Sequence, residues 1–481
     1  MYDNPLLFRY TLSLPDFVSR ELVMRKFSIV ACGLFLFVAL TVGAARFSHV
    51  LHGFMAQPSD ILLQDEHGHV NILLLGVGDA DHSGANLTDT MIVASLDPHT
   101  PSSVVLLSIP RDMLFMNAKG MSEGKINSLY ADYTSHFRYQ KMKDAEASRS
   151  ALQQLTRVIG EKTGVSLPYY VKADFTAFTQ LIDSVGGIDV DVPKKIVDYA
   201  YPLQEGVVGT YEILPGVHHM NGEDALKYVR TRHSSTDFDR SARQQQVLSL
   251  LSDAMKKKAA DNPEYLLSLY GILHGNVETN LSTDELVALG RSARSLSSDR
   301  FITMQLNFHS GGNGLRADAG GFLFAPPISE YGSASVLLPI ATSPKFDSWS
   351  DIRTFARMLT RDRDVYLAHQ NFIVRSAGAS YAAASELMNE LSRYGFSVSE
   401  QKKEKDETVS VSAQSSVCYA AGQKQQQRSA LYLSALLRVT AKECASTSSG
   451  VVIELGKSYK FIPLVVLSGS TLSPAPPSTS A

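Results

Sequence analysis

The chain has 481 residues, more than one ordinary domain holds, and its 44% hydrophobic and 19% charged residues suit a globular protein with a sizeable core. A net charge of −3 excludes a general attraction to nucleic acid, so no nucleic-acid partner is expected and any anion site must come from local basic clusters. Three cysteines without a C-x-x-C pair exclude a disulfide scaffold and a thiolate zinc site.

From Phe27 to Ala45 the run FSIVACGLFLFVALTVGAA carries no charge. At about 1.5 Å per residue it can cross a hydrocarbon core of about 30 Å. Arg20, Arg25 and Lys26 precede it, and only Arg46 follows closely. The positive-inside rule then places residues 1–26 in the cytoplasm, a single-pass membrane anchor at 27–46 and everything later outside the cell membrane. A buried core helix and a cleaved signal peptide ending near Ala44-Ala45 are the alternatives, although signal peptides usually have a shorter apolar region.

Residues 47–69 read as a polar stalk. Val70–Val77 (VNILLLGV) reads as a buried strand entering a glycine-rich loop, Gly76 to Gly84. Met91–Leu96 and Val104–Ile109 are two further core strands. Over 144–163 a helical period puts Ala151, Leu152, Leu155, Val158 and Ile159 on one face. Short strands follow at Tyr169–Val171 and Ile188–Val192, around a helix at Phe175–Val185 that Gly186-Gly187 closes. Strands alternating with helices predict an α/β layered domain. Residues 261–360 are less regular, with helical stretches at Glu264–Leu273 and Thr283–Arg294, and close the same domain, 70–360.

A second, small α/β domain is expected over 365–460. Its strands are Phe372–Val374, Phe396–Val398, Thr408–Ser412 and Val451–Leu455, and its helices are Tyr381–Tyr394 and Lys424–Val439. Residues 461–481 form a tail, Ser/Pro/Thr-rich from Ser468 and expected to be disordered. Cys418 and Cys444 both fall outside the membrane in this topology, so they are either a disulfide or two buried thiols.

Three clusters carry charge against apolar surroundings. In Leu87-Thr88-Asp89-Thr90-Met91 an aspartate enters a strand, where it needs a partner, a turn to cap or a metal. In Ser108-Ile109-Pro110-Arg111-Asp112 an arginine emerges at a strand's carboxyl end, where open α/β sheets bind ligands. Arg111 is suited to phosphate, Lys125 adds a cation, and a solvated loop is the bland reading of both. The third cluster runs from Tyr228 to Gln246. Arg230 and Arg232 share a face if the segment is extended. Arg240, Arg243 and Gln244 share one if it is helical. Four arginines among aspartates suit a pyrophosphate with a divalent cation, or a surface helix laced with ion pairs. Asp79, Asp81 and His82 form a smaller cluster in the first loop, either a turn or a metal site. No G-x-x-x-x-G-K-[ST] loop and no G-x-S-x-G elbow occurs. Asp198 to Tyr201 (DYAY) reads as packing by Tyr199 and Tyr201.

Taken in order, NILLLG, LTDTM, LLSIPRD, KIN, DSVGGIDVDVP, GVHHMNGEDALKYVRTR and DFDRSARQQ resemble the LytR-CpsA-Psr family of bacterial envelope phosphotransferases over about residues 70–260. Residues 365–460 resemble the small C-terminal domain often attached to that family, with Arg375-Ser376 where Asn-Gly is usual. The resemblance implies a mixed sheet between helix layers and a hydrophobic pocket for a polyprenyl chain. It also implies an arginine-rich mouth that holds the pyrophosphate with magnesium. The family's site positions fall on Asp89, Arg111, Lys125, Arg230, Arg232, Arg240 and Gln244, with Arg243 beside them. Asp79 or Asp81 stands for the family's first carboxylate, and Leu87 occupies a position usually held by arginine. The implied reaction moves a phosphate-linked glycopolymer from a polyprenyl pyrophosphate carrier to peptidoglycan. Hydrolysis of the carrier and non-catalytic lipid binding by a regulator are the alternatives.

Overall fold

The structure is a computed structural model. It describes residues 57–78, 86–99, 102–115, 124–204, 207–231, 237–261, 265, 276–292, 296–308, 318–341, 347–400, 411–444 and 450–468. Residues 1–26, the anchor expected at 27–46 and residues 47–56 of the stalk lie outside this set. So do Asp79, Asp81, Arg232 and most of the helix expected at 264–273. Among the described residues no helix is long and apolar enough to cross a membrane.

Two compact units are present. The smaller holds the turn Pro58–Ile61 and residues 282–291 of the helix Thr283–Ser292. Ser282 and Glu285 cap that helix reciprocally: Ser282 N donates to Glu285 Oε2 (2.7 Å) and Glu285 N to Ser282 Oγ (3.4 Å).

The larger unit contains a six-stranded mixed sheet. Its strands are β1 (Val70–Val77), β2 (Thr88–Asp97), β3 (Ser103–Ser108), β4 (Tyr169–Ala173), β5 (Val277–Thr279) and β6 (Phe301–Gln305), in the order β5-β4-β1-β2-β3-β6. β1–β2 and β2–β3 are antiparallel, while β4 joins β1 and β6 joins β3 in parallel. The period-2 rule sorts the apolar residues of β1 to β3 onto two faces. Leu73, Leu75, Met91, Val93, Val105 and Leu107 join Ala151, Leu152 and Leu155 of α1 (Asp144–Thr163) in one buried cluster. On the other face α4 (Asp237–Asp261) reaches the sheet, where Gln245 Nε2 donates to Leu106 O (3.4 Å), Ser108 Oγ (2.9 Å) and Met304 O (2.8 Å). Beside α4 pack α2 (Phe175–Val185) and α3 (Gly222–Arg230), joined by Ile182, Val229, Val247 and Leu251. The expected layered α/β fold is therefore present, and β6 extends it beyond residue 260.

A second, five-stranded sheet is formed by β7 (Asn371–Ala377), β8 (Ser397–Glu400), β9 (Ser416–Tyr419), β10 (Thr440–Glu443) and β11 (Val451–Gly456), in the order β8-β7-β11-β9-β10. Helices Tyr381–Arg393 and Lys424–Leu437 accompany it. The strand expected at Thr408–Ser412 falls partly outside the described residues. The nearest strand is instead β9, where Val417 and Cys418 are fully buried. The two sheets do not have separate cores: one buried cluster runs from Leu73 and Phe322 through Phe355 to Phe372, Tyr394 and Leu464. The expected tail also begins later than residue 461, because Leu464 and Val465 of the turn Leu464–Leu467 are fully buried. Cys418 and Cys444 are bonded, with Cα atoms 5.5 Å apart.

A candidate anion-binding active site

The cleft forms where β2 begins and β3 ends. Asp89 opens β2 with a half-exposed carboxylate. Proline stops β3 at Pro110, and the chain turns so that Arg111 Nη1 donates to Asp89 Oδ1 at 2.9 Å. Asn127 Nδ2 approaches the same oxygen at 3.3 Å. From the facing helix α4, Arg240 Nη2 donates to the Asp89 carbonyl at 3.4 Å. Asp89, Arg111, Arg240, Ser241 and Gln244 share the lining of one small cleft with Ser108 and Pro110. Arg240 and Gln244 are one helical turn apart, so both reach it.

The other expected site residues have different places. Lys125 is held by Asp112, Nζ to Oδ1 2.6 Å, and Arg111 Nε lies 3.6 Å from the same carboxylate's Oδ2. Lys125 thus joins the rim's ion-pair chain and does not line the cleft. Arg230 ends α3 instead of lying on an extended segment, so the alternation expected with Arg232 does not apply. Its guanidinium sits 4.3 Å from the Phe175 ring centroid and 5.9 Å from that of Tyr201. Arg243 is turned away from the cleft and buried. Its Nε donates to Tyr228 O (2.9 Å) and its Nη2 to Thr231 O, and burial pulls its pKa below the usual arginine value. Its expected role as a pyrophosphate ligand is corrected to a structural one, because a side chain three positions from Arg240 faces α3 while one four positions away faces the cleft.

The local sequence explains α3. Asn221 caps it, its Oδ1 accepting from Asp224 N at 2.9 Å, and Asp183 Oδ1 accepts from Gly222 N at 2.7 Å. A Cβ at Gly222 would lie 2.3 Å from Thr179 O, so only glycine lets α3 approach α2 this closely. The three glutamines of α4 divide their work. Gln244 lines the cleft, Gln245 pins the sheet, and Gln246 accepts from Tyr228 OH (3.0 Å) and donates to Asp191 O (2.8 Å). The roles of Gln245, Asn127 and Asp198 were not foreseen; Asp198 lies in a stretch read as packing, where Tyr201 is buried but Tyr199 is exposed.

The cleft offers about 10 Å³, room for about one water. It is not the long apolar tunnel expected for a polyprenyl chain. Met91 and Ile109, which also line it, belong to the solid buried cluster behind. Among the described residues no group of three His, Cys, Asp or Glu gathers as a metal cage. Among the described residues that line the cleft Asp89 is the one carboxylate, a hard oxygen donor of the kind that magnesium takes.

The family model described as LytR_cpsA_psr family matches residues 48–320. The chain belongs to this family. Among its relatives, the polyisoprenyl-teichoic acid–peptidoglycan teichoic acid transferase TagV of Bacillus subtilis is 31% identical over 49% of this chain and 56% of its own length. The crystal structure of B. subtilis TagV aligns with a TM-score of 0.44 at 26% identity, covering 61% of this chain and 97% of that one. TagU of Oceanobacillus iheyensis, with the same functional name, is 28% identical over 47% of this chain and 63% of its own length. The regulatory protein MsrR of Staphylococcus aureus is 29% identical over 47% of this chain and 60% of its own length. The chain thus spans less than two thirds of each of these curated relatives.

Proposed function

We propose that this LytR_cpsA_psr protein is a phosphotransferase that moves a phosphate-linked glycopolymer from a polyprenyl pyrophosphate carrier to peptidoglycan. The observation that carries the reading is the convergence of Arg111, Arg240 and Gln244 beside Asp89 in one cleft. Two relatives named teichoic acid transferases support the choice of donor and acceptor. An acceptor sugar hydroxyl attacks the glycan-side phosphorus. The new O–P bond forms as the bridging P–O bond breaks, and polyprenyl phosphate leaves with the electron pair. Arg111 and Arg240 hold the phosphate oxygens as charge shifts, and Gln244 orients one of them. Arg230 and Arg232 are assigned to the same phosphates by the family resemblance alone. Asp89 would hold magnesium, with Asp79 or Asp81 as the further candidate ligands, and the ion would neutralise phosphate charge.

The reading places the catalytic unit outside the cell membrane, tethered by residues 27–46. The Cys418–Cys444 bond supports that side, since disulfides persist in oxidising surroundings. Incubating the full chain with a short-chain lipid pyrophosphate donor, magnesium and peptidoglycan oligomers tests the function. Transfer gives wall-bound glycan. Free glycan phosphate alone would make the protein a hydrolase, and binding without turnover would make it a regulator.

A further inference from the structure

Thr231, which joins Arg230 to Arg232, is fully buried and held at three atoms. Its N donates to Lys227 O at 3.1 Å, closing the last turn of α3. Its Oγ1 donates to Asp198 Oδ2 at 2.8 Å, and its carbonyl accepts from Arg243 Nη2. Asp198 is 1% exposed and Arg243 6% exposed, so both charges sit away from water and exert their effect on this one residue's surroundings. The backbone of Thr231 adopts φ −58° and ψ 140°, turning the chain out of the helix. Helix carboxyl ends leave carbonyls without intrahelical partners. Arg243 takes two acceptors there, Tyr228 O and Thr231 O, and its charge complements the helix dipole. None of these groups lines the cleft.

We infer that Asp198, Thr231 and Arg243 form a positioning clamp that fixes Arg230 at the end of α3 for phosphoryl transfer. The inference rests on the proposed reaction. Two buried charges of opposite sign, each bonded to this one residue, are an expensive way to end a helix, since burial disfavours both. A plain C-terminal glycine would serve stability alone. Holding N, O and Oγ1 of one residue instead fixes the direction in which Arg230, the preceding residue, leaves the backbone. Displacement of a catalytic group by about 1 Å costs on the order of 100-fold in rate.

Thr231→Val keeps the shape and removes the hydroxyl bond, Thr231→Ser keeps the bond, and Arg243→Lys keeps a charge that cannot span two carbonyls. The clamp predicts a kcat about 10- to 100-fold lower in Thr231→Val and Arg243→Lys with donor KM within about threefold, and near-normal kcat in Thr231→Ser. Full kcat in Thr231→Val, or equal losses in Thr231→Val and Thr231→Ser, would overturn it. Asp198→Asn carries the same test if Thr231→Val does not fold. Hydrogen exchange at the Thr231 amide gives a second readout independent of turnover. It should quicken in Thr231→Val by more than the amides earlier in α3 do, and exchange unchanged relative to those amides would overturn the clamp. A wild-type protein without turnover would refute the proposed reaction, while exchange still decides whether the clamp exists.

Discussion

Replacing Arg111 with Ala separates catalysis from stability. Its guanidinium lies 2.9 Å from Asp89 Oδ1, but the Asp89 side chain is 48% exposed, so solvent screens the pair. An exposed ion pair contributes about 0–1 kcal/mol. The second neighbour, Asp112, keeps Lys125 at 2.6 Å after the change, so no buried carboxylate is left alone. The stability loss should therefore stay near 1 kcal/mol, a shift of about 2–4 °C or less in melting temperature. The catalytic loss is larger. A donor that meets charge developing in the transition state is worth on the order of 10²–10³ in kcat, about 2.7–4 kcal/mol. Lys should restore little, since a point charge does not replace the planar fork on a phosphate. The assay is transfer from a short-chain lipid pyrophosphate donor, run beside thermal melts. A variant that keeps a third or more of wild-type kcat refutes the assignment. A variant that loses activity in step with a large drop in melting temperature shows instead that Arg111 is structural.

Reducing the Cys418–Cys444 bond, which closes a loop with a sequence separation of 26, should cost about 3.5 kcal/mol, read as a lower denaturant midpoint with reductant. Gln245→Ala should cost about 2 kcal/mol in urea unfolding, because Ser108 Oγ and Met304 O lose a buried donor together. Burial pushes the Asp65 carboxyl up, but bonds from His69, Asn71 and His67 outweigh it and hold its pKa well below the usual carboxylate range. A depressed folded pKa adds stability that is complete above the unfolded value near 4 and is lost as pH falls through the folded one. Asp65→Asn should accordingly flatten the stability profile below about pH 4, and an unchanged acid limb in the variant would count against this assignment.

The parts of the fold that the sequence revealed are those where one period dominates. Helix 144–163 was legible because its apolar stripe sets both its length and its face, and Gly164 ends it in the left-handed region at φ 71°. Helix Phe175–Val185 was legible for the same reason, with Asp174 capping and Gly186 closing it. β6 was not: FITMQ has three partly exposed positions and no alternation, and only its pairing with β3 makes it a strand. β9 was also displaced from the expected segment, because short buried strands share their composition with any apolar run.

At the site, the sequence identified which residues are present but not which way they point. Arg240, Arg243 and Gln244 share helical spacing, yet only the first and last line the cleft, because helical rotation over three residues falls short of a full turn and over four exceeds it slightly. The difference decides their chemistry: Arg243 spends its donors on Tyr228 O and Thr231 O. Arg230 was displaced for a related reason. α3 runs as far as Arg230, so this arginine ends a helix, with no extended segment to place it beside Arg232, and rests on Phe175. Both corrections come from which faces of α3 and α4 meet, a tertiary fact that no single helix encodes. The same contact makes the site dependent on the fold at a distance. Gly222 sets how closely α3 lies on α2, while Gln245 sets how α4 sits on β3 and so brings Arg240 and Gln244 to the end of that strand, where the cleft forms.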